Sequence, residues 1–313
     1  MTGATPTTAI SNELAPVVAA FQQQLGHNLV GITLFGSRAR GDARPESDWD
    51  LLLIAEHLPT SVWERHQYLL ACLPEAWRGR ATVIAKTPAE FTSYLAPLYL
   101  DIALDGIVLY DRDGWLTAHL AAIRTLLDRH GLYRIQRGRD LIWEWREFPG
   151  FGWALNWEKV HAEERTHTIQ NVNYRTKLAS GFIKEAHQDL DLQRWRSAVD
   201  NAQLASENAA KAVLALLGPP GRTHQLGTLL REALAHQRFP AELSPDIERL
   251  ATIADTLGID VRVQSDDGLE EQQLTPWEIF DEAKARHMVS LAEEALSIAQ
   301  RLIHHYPTNQ QTL

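Results

Sequence analysis

Two aspartates one residue apart, Asp48 and Asp50, are the side chains of this chain best suited to metal chemistry. They open an apolar run, and the two-residue period of a β-strand turns both side chains to the same face. Two ionised carboxylates at this spacing repel each other unless a cation lies between them. Mg²⁺ prefers hard oxygen ligands and usually takes one or two carboxylates together with substrate phosphates. The pair therefore predicts a magnesium site.

A glycine-serine turn lies upstream of the acid pair, at the end of an earlier apolar run. Gly36 has no side chain to block close approach of its backbone, and Ser37 offers a hydroxyl and an N–H group to a phosphate. Three nearby arginines add positive charge: Arg38, Arg40 and Arg44. The stretch from Leu29 to Ala55 therefore predicts a metal and triphosphate site on two strands. A surface hairpin is the alternative, but it leaves two acids on a strand face that should be buried.

The spacing of these residues resembles a known signature. Phe35-Gly36-Ser37, ten residues and then Asp48-Trp49-Asp50-Leu51 resemble the polymerase-β-type nucleotidyltransferases, and the whole segment resembles their minimal branch. The resemblance implies Mg²⁺ as the cofactor and ATP or another nucleoside triphosphate as the substrate. It implies a catalytic and metal-binding role for Asp48 and Asp50. It also implies that the nucleotide is bound by Gly36, Ser37, Arg38, Arg40 and Ser47.

The chain departs from this family at the strand that follows the acid pair. Active members usually add a third carboxylate from that strand, whereas the strand predicted here, Arg80 to Lys86, holds no acid. Asp101 and Asp105 lie farther along the chain, and each is interpreted first as a solvated or capping acid. The third ligand positions the attacking oxygen in a two-metal displacement, so its loss should weaken catalysis more than nucleotide binding.

The first part of the chain alternates strands and helices, which fits an α+β nucleotidyltransferase domain over residues 1–132. Residues 133–156 are interpreted as an aromatic-rich connector between domains. Four tryptophans fall within fifteen residues: Trp143, Trp145, Trp153 and Trp157. Buried packing is the commoner use of tryptophan, and stacking on a nucleobase beside the neighbouring arginines stays open as the alternative.

Residues 157–313 have helical periodicity throughout and predict an all-α up-and-down bundle of four or five helices. Thr275, Pro276 and Glu278 predict a capped start of the last helix, which should continue to about His304. The segments Ala198 to Gly218 and Thr275 to Leu296, together with Thr223-His224 between them, resemble HEPN helical domains.

Ribonuclease members of the HEPN group carry an arginine followed four to six residues later by a histidine. Arg231 and His236 have this spacing, but they follow the Thr223-His224 turn and do not lie on the late helix. His236 is therefore interpreted as a surface residue, and ribonuclease activity is the least favoured of the functions considered.

Composition limits the remaining function classes. The formal net charge of −10 disfavours broad, non-specific binding of nucleic acid, since most of the surface would repel a phosphate backbone. Cys72 is the only cysteine, which excludes an internal disulfide framework and a cysteine-rich zinc site. No apolar run is long enough to span a membrane, and the N-terminus lacks the pattern of a secretory signal. We expect a cytoplasmic protein.

Two functions are consistent with the sequence. In the first, the chain is an enzyme that transfers a nucleoside monophosphate, with AMP expected, to an acceptor hydroxyl and releases pyrophosphate, while the helical domain binds the acceptor. In the second, it is a nucleotide-binding regulator of the toxin–antitoxin type with weak or no turnover. The sequence leaves open whether the acceptor is a small molecule, a tRNA or a protein, and whether the helical domain forms a homodimer.

Overall fold

The computed structural model describes residues 6–138, 140–151, 153, 155, 166–219 and 221–306, with side chains described from Ile10 and, after the longest gap, from Gln170. These residues form two compact units, of which the first ends at His130 and the second begins at Gly131, while Leu155 belongs with the first. Every described helix is too short or too polar to cross a membrane.

A four-stranded sheet with the order β3-β2-β1-β4 forms the centre of the first unit. Its strands are β1 (Leu29–Phe35), β2 (Trp49–Ala55), β3 (Ala81–Lys86) and β4 (Ile107–Asp111). Strand β1 pairs antiparallel with β2 and with β4, while β2 pairs parallel with β3. The two central strands are almost wholly buried, because their apolar side chains are covered on both faces of the sheet.

Six helices surround this sheet: α1 (Pro6–Leu25), α2 (Gly36–Arg40), α3 (Val62–Cys72), α4 (Pro88–Ser93), α5 (Pro97–Asp105) and α6 (Trp115–His130). Helices α1 and α3 cover the face that carries Trp49, Leu51 and Leu53 of β2. Helix α6 approaches β1 at Gly31, where any larger side chain would overlap Leu116. The short helix α2 joins β1 to the loop that leads into β2.

The second unit begins with a β-hairpin and continues as helices. The hairpin strands are β5 (Leu132–Arg137) and β6 (Asp140–Trp145), which pair antiparallel. The helices are α7 (Thr166–Asp191), α8 (Trp195–Leu214), α9 (Leu226–Ala235), α10 (Ser244–Thr256), α11 (Ile259–Asp266), α12 (Pro276–Ile279) and α13 (Glu282–His305). Buried alanines recur along α8 and let its neighbours approach closely: Ala198, Ala202, Ala205, Ala209 and Ala212.

The predicted fold class is confirmed, since a mixed α/β sheet unit is followed by a helical one. The stretch interpreted as a connector contains the hairpin β5–β6. One prediction is wrong, since the predicted last helix is two helices. The Glu278 carboxylate caps the start of α12 by accepting from the Thr275 N–H at 2.9 Å, and Asp281 starts α13 by accepting from the Lys284 N–H at 2.8 Å.

The predicted domain boundaries, 1–132, 133–156 and 157–313, stay predictions. Trp157 and the predicted start of the helical domain lie outside the described residues.

Candidate nucleotide and metal site

The Asp50 carboxylate lies directly over the backbone of Gly36. In the antiparallel ladder Phe35 pairs with Asp50, so the acid is placed beside the turn from β1 into α2. Gly36 has a φ of 76°, and a Cβ built on it would overlap the Oδ2 atom of Asp50. Both the backbone conformation and the close approach therefore require glycine at this position. The pairing of two strands brings together two residues that the sequence predicts for one site.

Asp48 lies immediately before β2 and is exposed. The strand starts at Trp49, whose N–H donates to the Arg80 carbonyl at 2.9 Å. The Trp49 side chain is buried and packs edge to face on Trp77, with 5.7 Å between the ring centroids. The residue between the two aspartates in the sequence is thus fixed in the core. That they share a cation stays a prediction.

Arg38 holds the loop that leads to the acid pair. Its guanidinium donates to the carbonyl of Ser47 at 2.9 Å and to that of Pro45 at 3.1 Å. The same group lies 4.3 Å from the centroid of the Trp49 ring. Ser47 also closes the loop on itself, because its hydroxyl accepts from the Arg44 N–H at 3.0 Å. Both residues were predicted to bind nucleotide, and both here fix the backbone just before Asp48.

Ser37 and Arg40 lie on the short helix α2. The Ser37 carbonyl accepts from the N–H groups of Gly41 and Asp42 at 3.0 and 3.1 Å, which ends the helix at a left-handed glycine. The Arg40 guanidinium is 3.2 Å from the Asp42 carboxylate and 3.9 Å from that of Asp105. Arg40 therefore brings positive charge to the glycine-serine turn while two acids compensate part of it.

In the part of the chain that the structure describes, no third acid joins the pair in a metal-binding group. In the parallel ladder Asp50 is opposite Thr82 of β3, at the strand where the family usually has its third acid. Asp105 ends α5 beside Arg40, and Asp101 is buried within the same helix. Among the described residues, no group of three or more histidines, cysteines or acids is arranged to hold a metal. The departure seen in the sequence therefore persists in the fold.

A cavity in the second unit has no counterpart among the predictions from the sequence. It measures about 430 Å³ and lies between the hairpin and the helices, with the side chains of Trp143 and Phe148 in its wall. These residues are separated by more than sixty positions from the lining residues on and beside α8 and α9, which begin at Lys211. No motif or spacing in the sequence could have indicated it.

The arginine and histidine with ribonuclease-like spacing are also placed by the structure. Arg231 of α9 donates to Glu248 at 2.7 Å and to Asp255 at 2.6 Å. His236 follows the end of α9 and is exposed, as predicted. Arg231 thus joins α9 to α10, a structural role for which its two acid partners are sufficient.

Two family models match the chain. One describes a nucleotidyltransferase domain and matches residues 17–108, which include every predicted site residue. The other describes a HEPN domain and matches residues 172–304, most of the helical part.

Individual relatives match over different lengths. A protein of Methanocaldococcus jannaschii with the name "Putative protein adenylyltransferase" is 32% identical over 124 residues, which cover 38% of this chain and 84% of that protein. A toxin–antitoxin crystal structure with AMP-PNP is 17% identical, covers 37% of this chain and 86% of its own, and gives a TM-score of 0.28.

The spectinomycin adenyltransferase AAD(9) of Enterococcus faecialis, solved with ATP and spectinomycin, is 11% identical and covers 90% of this chain and 98% of its own, with a TM-score of 0.32. Scores this low support no conclusion about either structural neighbour. The family models and the Methanocaldococcus relative are sufficient on their own: the chain belongs to the nucleotidyltransferase family, and a HEPN domain follows its nucleotidyltransferase domain.

Proposed function

We propose that this chain transfers AMP from ATP to an acceptor hydroxyl and releases pyrophosphate. The observation that carries the proposal is the Asp50 carboxylate held over the Gly36 backbone, at the turn where a triphosphate would lie. The name of the relative, a protein adenylyltransferase, supports AMP as the transferred group. An acceptor oxygen attacks the α-phosphorus, the bond from that phosphorus to the pyrophosphate oxygen breaks, and the acceptor proton passes to solvent.

The donors at the site fit Mg²⁺. Asp48 and Asp50 offer hard carboxylate oxygens, and this ion is commonly held by one or two carboxylates together with substrate phosphates. We assign these two aspartates as its protein ligands. When bound, Mg²⁺ neutralises phosphate charge and orients the triphosphate for attack.

The residues around the pair have separate tasks in this proposal. Gly36 lets the triphosphate approach the backbone, and Ser37 and Arg40 bind its oxygens. Arg38 and Ser47 keep the loop before Asp48 in one conformation. Holding the reacting groups in one geometry lowers the entropic part of the barrier, which is the main service that a protein gives in this kind of transfer.

The acceptor is proposed from the relative's name and from the second domain. A protein hydroxyl is the first choice, with a small molecule and a tRNA as the alternatives, and the helical domain is proposed to bind it. We also propose a cytoplasmic location and leave a homodimer through the helical domain as a further option.

Labelled nucleotide tests the proposal. The full-length chain is incubated with Mg²⁺ and α-labelled ATP, with whole-cell protein, tRNA or small-molecule acceptors, and pyrophosphate release is measured in parallel. We expect Asp50→Asn to lower transfer by about 10²–10³-fold, since one metal ligand is lost without a change of shape. Asp128→Asn removes an exposed acid on α6 and should transfer label as the wild type does. If the wild type transfers label no faster than Asp50→Asn, the proposed enzymatic activity is contradicted.

A regulator without turnover is the second candidate, and Thr82 favours it. This residue lies opposite Asp50 where a third carboxylate is expected, so the position that should orient the attacking oxygen is not acidic. Calorimetry with Mg²⁺ and a non-hydrolysable ATP separates the two functions. Magnesium-dependent binding that Asp50→Asn weakens, without label transfer to any acceptor, would favour the regulator.

A further inference from the structure

The cavity of the second unit has the size of a small-molecule site. Its volume of about 430 Å³ falls within the range of about 300–1,000 Å³ that is usual for ligand pockets. Aromatic side chains from the hairpin and the loop after it form one wall: Trp143, Trp145 and Phe148. Leucines of α8 and α9 form the opposite wall, among them Leu214, Leu226 and Leu229.

Hydrogen bonds on both sides fix the hairpin against the helices. The Trp145 indole N–H donates to the Leu217 carbonyl at 2.8 Å. Leu141 and Arg222 exchange two backbone hydrogen bonds of 3.0 and 2.8 Å, which form a single antiparallel bridge beside the hairpin. Gly221 permits this contact, because a Cβ there would overlap the Leu141 carbonyl. The cavity is therefore built into the fold before any ligand arrives.

The two acids in the cavity wall share one arginine, which compensates one of their two negative charges. Glu232 and Glu144 both pair with Arg137, at 2.5 and 3.4 Å, and the Tyr133 hydroxyl also donates to Glu144 at 3.1 Å. A cationic ligand would have to compete with Arg137 for these carboxylates.

The cations in the wall differ in how they are compensated. The Lys211 ammonium is paired with Glu207 at 2.5 Å. Arg238 lies over the Phe148 ring, 4.8 Å from its centroid, and makes no ion pair with any acid among the described residues. An arginine beside an aromatic wall favours a flat ring that stacks on the aromatic side chains and an acidic group that pairs with the guanidinium.

We infer that this cavity binds a flat aromatic molecule that carries one negative charge. The inference does not depend on the adenylyl transfer proposed above, since it uses only residues of the second unit.

Three probes that share the indole ring system and differ in charge test the inference: indole-3-acetate, indole-3-acetamide and tryptamine. Calorimetry on the full-length chain should show that affinity decreases from the anion to the neutral probe to the cation. The anion should bind about tenfold or more tighter than the cation, as expected for one charge-assisted contact. Arg238→Gln should remove the preference for the anion. Arg262→Gln, a half-buried arginine of α11 that does not line the cavity, should keep it.

A second variant tests the location. Leu229→Trp fills the cavity from α9 and should abolish binding of indole-3-acetate, whereas Thr228→Trp places the same ring on an exposed position of that helix and should not. Circular dichroism checks that both variants fold. If Leu229→Trp does not fold, the Arg238→Gln experiment remains decisive. The inference is overturned if wild type binds no probe, if tryptamine binds as tightly as the anion, or if folded Leu229→Trp binds normally.

Discussion

The two units place their candidate sites in different ways. In the first, Gly36 and Asp50 are fourteen positions apart, and one strand pairing brings them together. In the second, hairpin strand β6 and residues on and beside α8 and α9 enclose the cavity from opposite sides. A site built on one strand pair leaves a signature in the sequence, whereas a site built by packing of distant elements does not. The first site could be predicted from the sequence for this reason, and the cavity could not.

Gly36→Ala should have the largest effect, because it disrupts the close contact between the Gly36 backbone and the Asp50 carboxylate on which the first site depends. The new Cβ would overlap Asp50 Oδ2, so either the turn or the carboxylate must move. A displacement of about 1 Å at a reacting centre can cost about 100-fold in rate, and we expect a loss of that size in label transfer.

Gly41→Ala is the matched control for this change. It has a similar φ of 82°, but a Cβ built there has no neighbour within 4 Å. The control should lose only about 1 kcal/mol in the free energy of unfolding from backbone strain and should keep most of its activity. Equal losses of activity in the two variants would show that strain, and not the position of Asp50, limits the reaction.

Gly221→Ala makes the corresponding change in the second unit. Its Cβ would overlap the Leu141 carbonyl and should detach the hairpin, which we expect to lower the free energy of unfolding by about 2 kcal/mol. Gly181→Ala, in α7 with open space around it, should instead raise that free energy by up to about 1 kcal/mol through helix propensity. Urea titration followed by circular dichroism measures both. If Gly221→Ala leaves the free energy of unfolding unchanged, the hairpin adapts easily and the cavity is not rigid.

Arg38→Ala tests whether the first site needs its loop to be held. Loss of two hydrogen bonds to the loop carbonyls should speed amide hydrogen exchange at residues 42–47 and lower the turnover number about tenfold, with little change in the KM for ATP. Arg44→Ala removes an exposed arginine of the same loop and should change neither exchange nor turnover. If only the KM for ATP rises and hydrogen exchange is normal, the result would support the direct phosphate contact of Arg38 that the sequence predicts.

Glu90→Gln should have the smallest effect and asks whether the first unit also relies on contacts between distant elements. Arg65 of α3 donates two hydrogen bonds of 2.8 Å to Glu90 of α4, and this contact lowers the pKa of Glu90 from 4.5 to about 2, with a further contribution from the Thr87 N–H. Because the folded pKa is below the unfolded one, the ion pair stabilises the protein above about pH 4.5, and this stabilisation is lost as pH falls from 4.5 towards 2.

The carboxylate is 41% exposed, so we expect a loss of only about 1 kcal/mol in the free energy of unfolding at pH 7. Urea titrations of wild type and Glu90→Gln between pH 7 and pH 3 should converge as the pH falls. Glu75→Gln, at an exposed position, should differ from wild type by less than about 0.5 kcal/mol at every pH. A constant difference between Glu90→Gln and wild type over this range would contradict a role for the charge.

Much of the fold could be predicted because its signals are local. The apolar runs of β1 and β2, the glycine-serine turn and the acid pair each occupy a few consecutive residues, and so does the capping box at Thr275. The break between α12 and α13 was missed because Asp281, the N-cap of α13, lies only a few residues after the Thr275–Glu278 capping box. Helical periodicity cannot distinguish two helix starts that are so close. The hairpin was missed because aromatic residues suit a buried connector and a strand equally well.

The sequence by itself was sufficient to predict that Asp48, Asp50 and the Gly36-Ser37 turn belong to one site, since the two-residue period of a strand and the special freedom of glycine are properties of the local chain. Only the tertiary structure decided that Asp50 lies over Gly36, that Arg38 holds the loop and that Thr82 lies opposite Asp50. It alone placed Arg238 and three aromatic rings around one cavity. Contacts of this second kind depend on how separate elements pack, and packing is set by the whole chain at once.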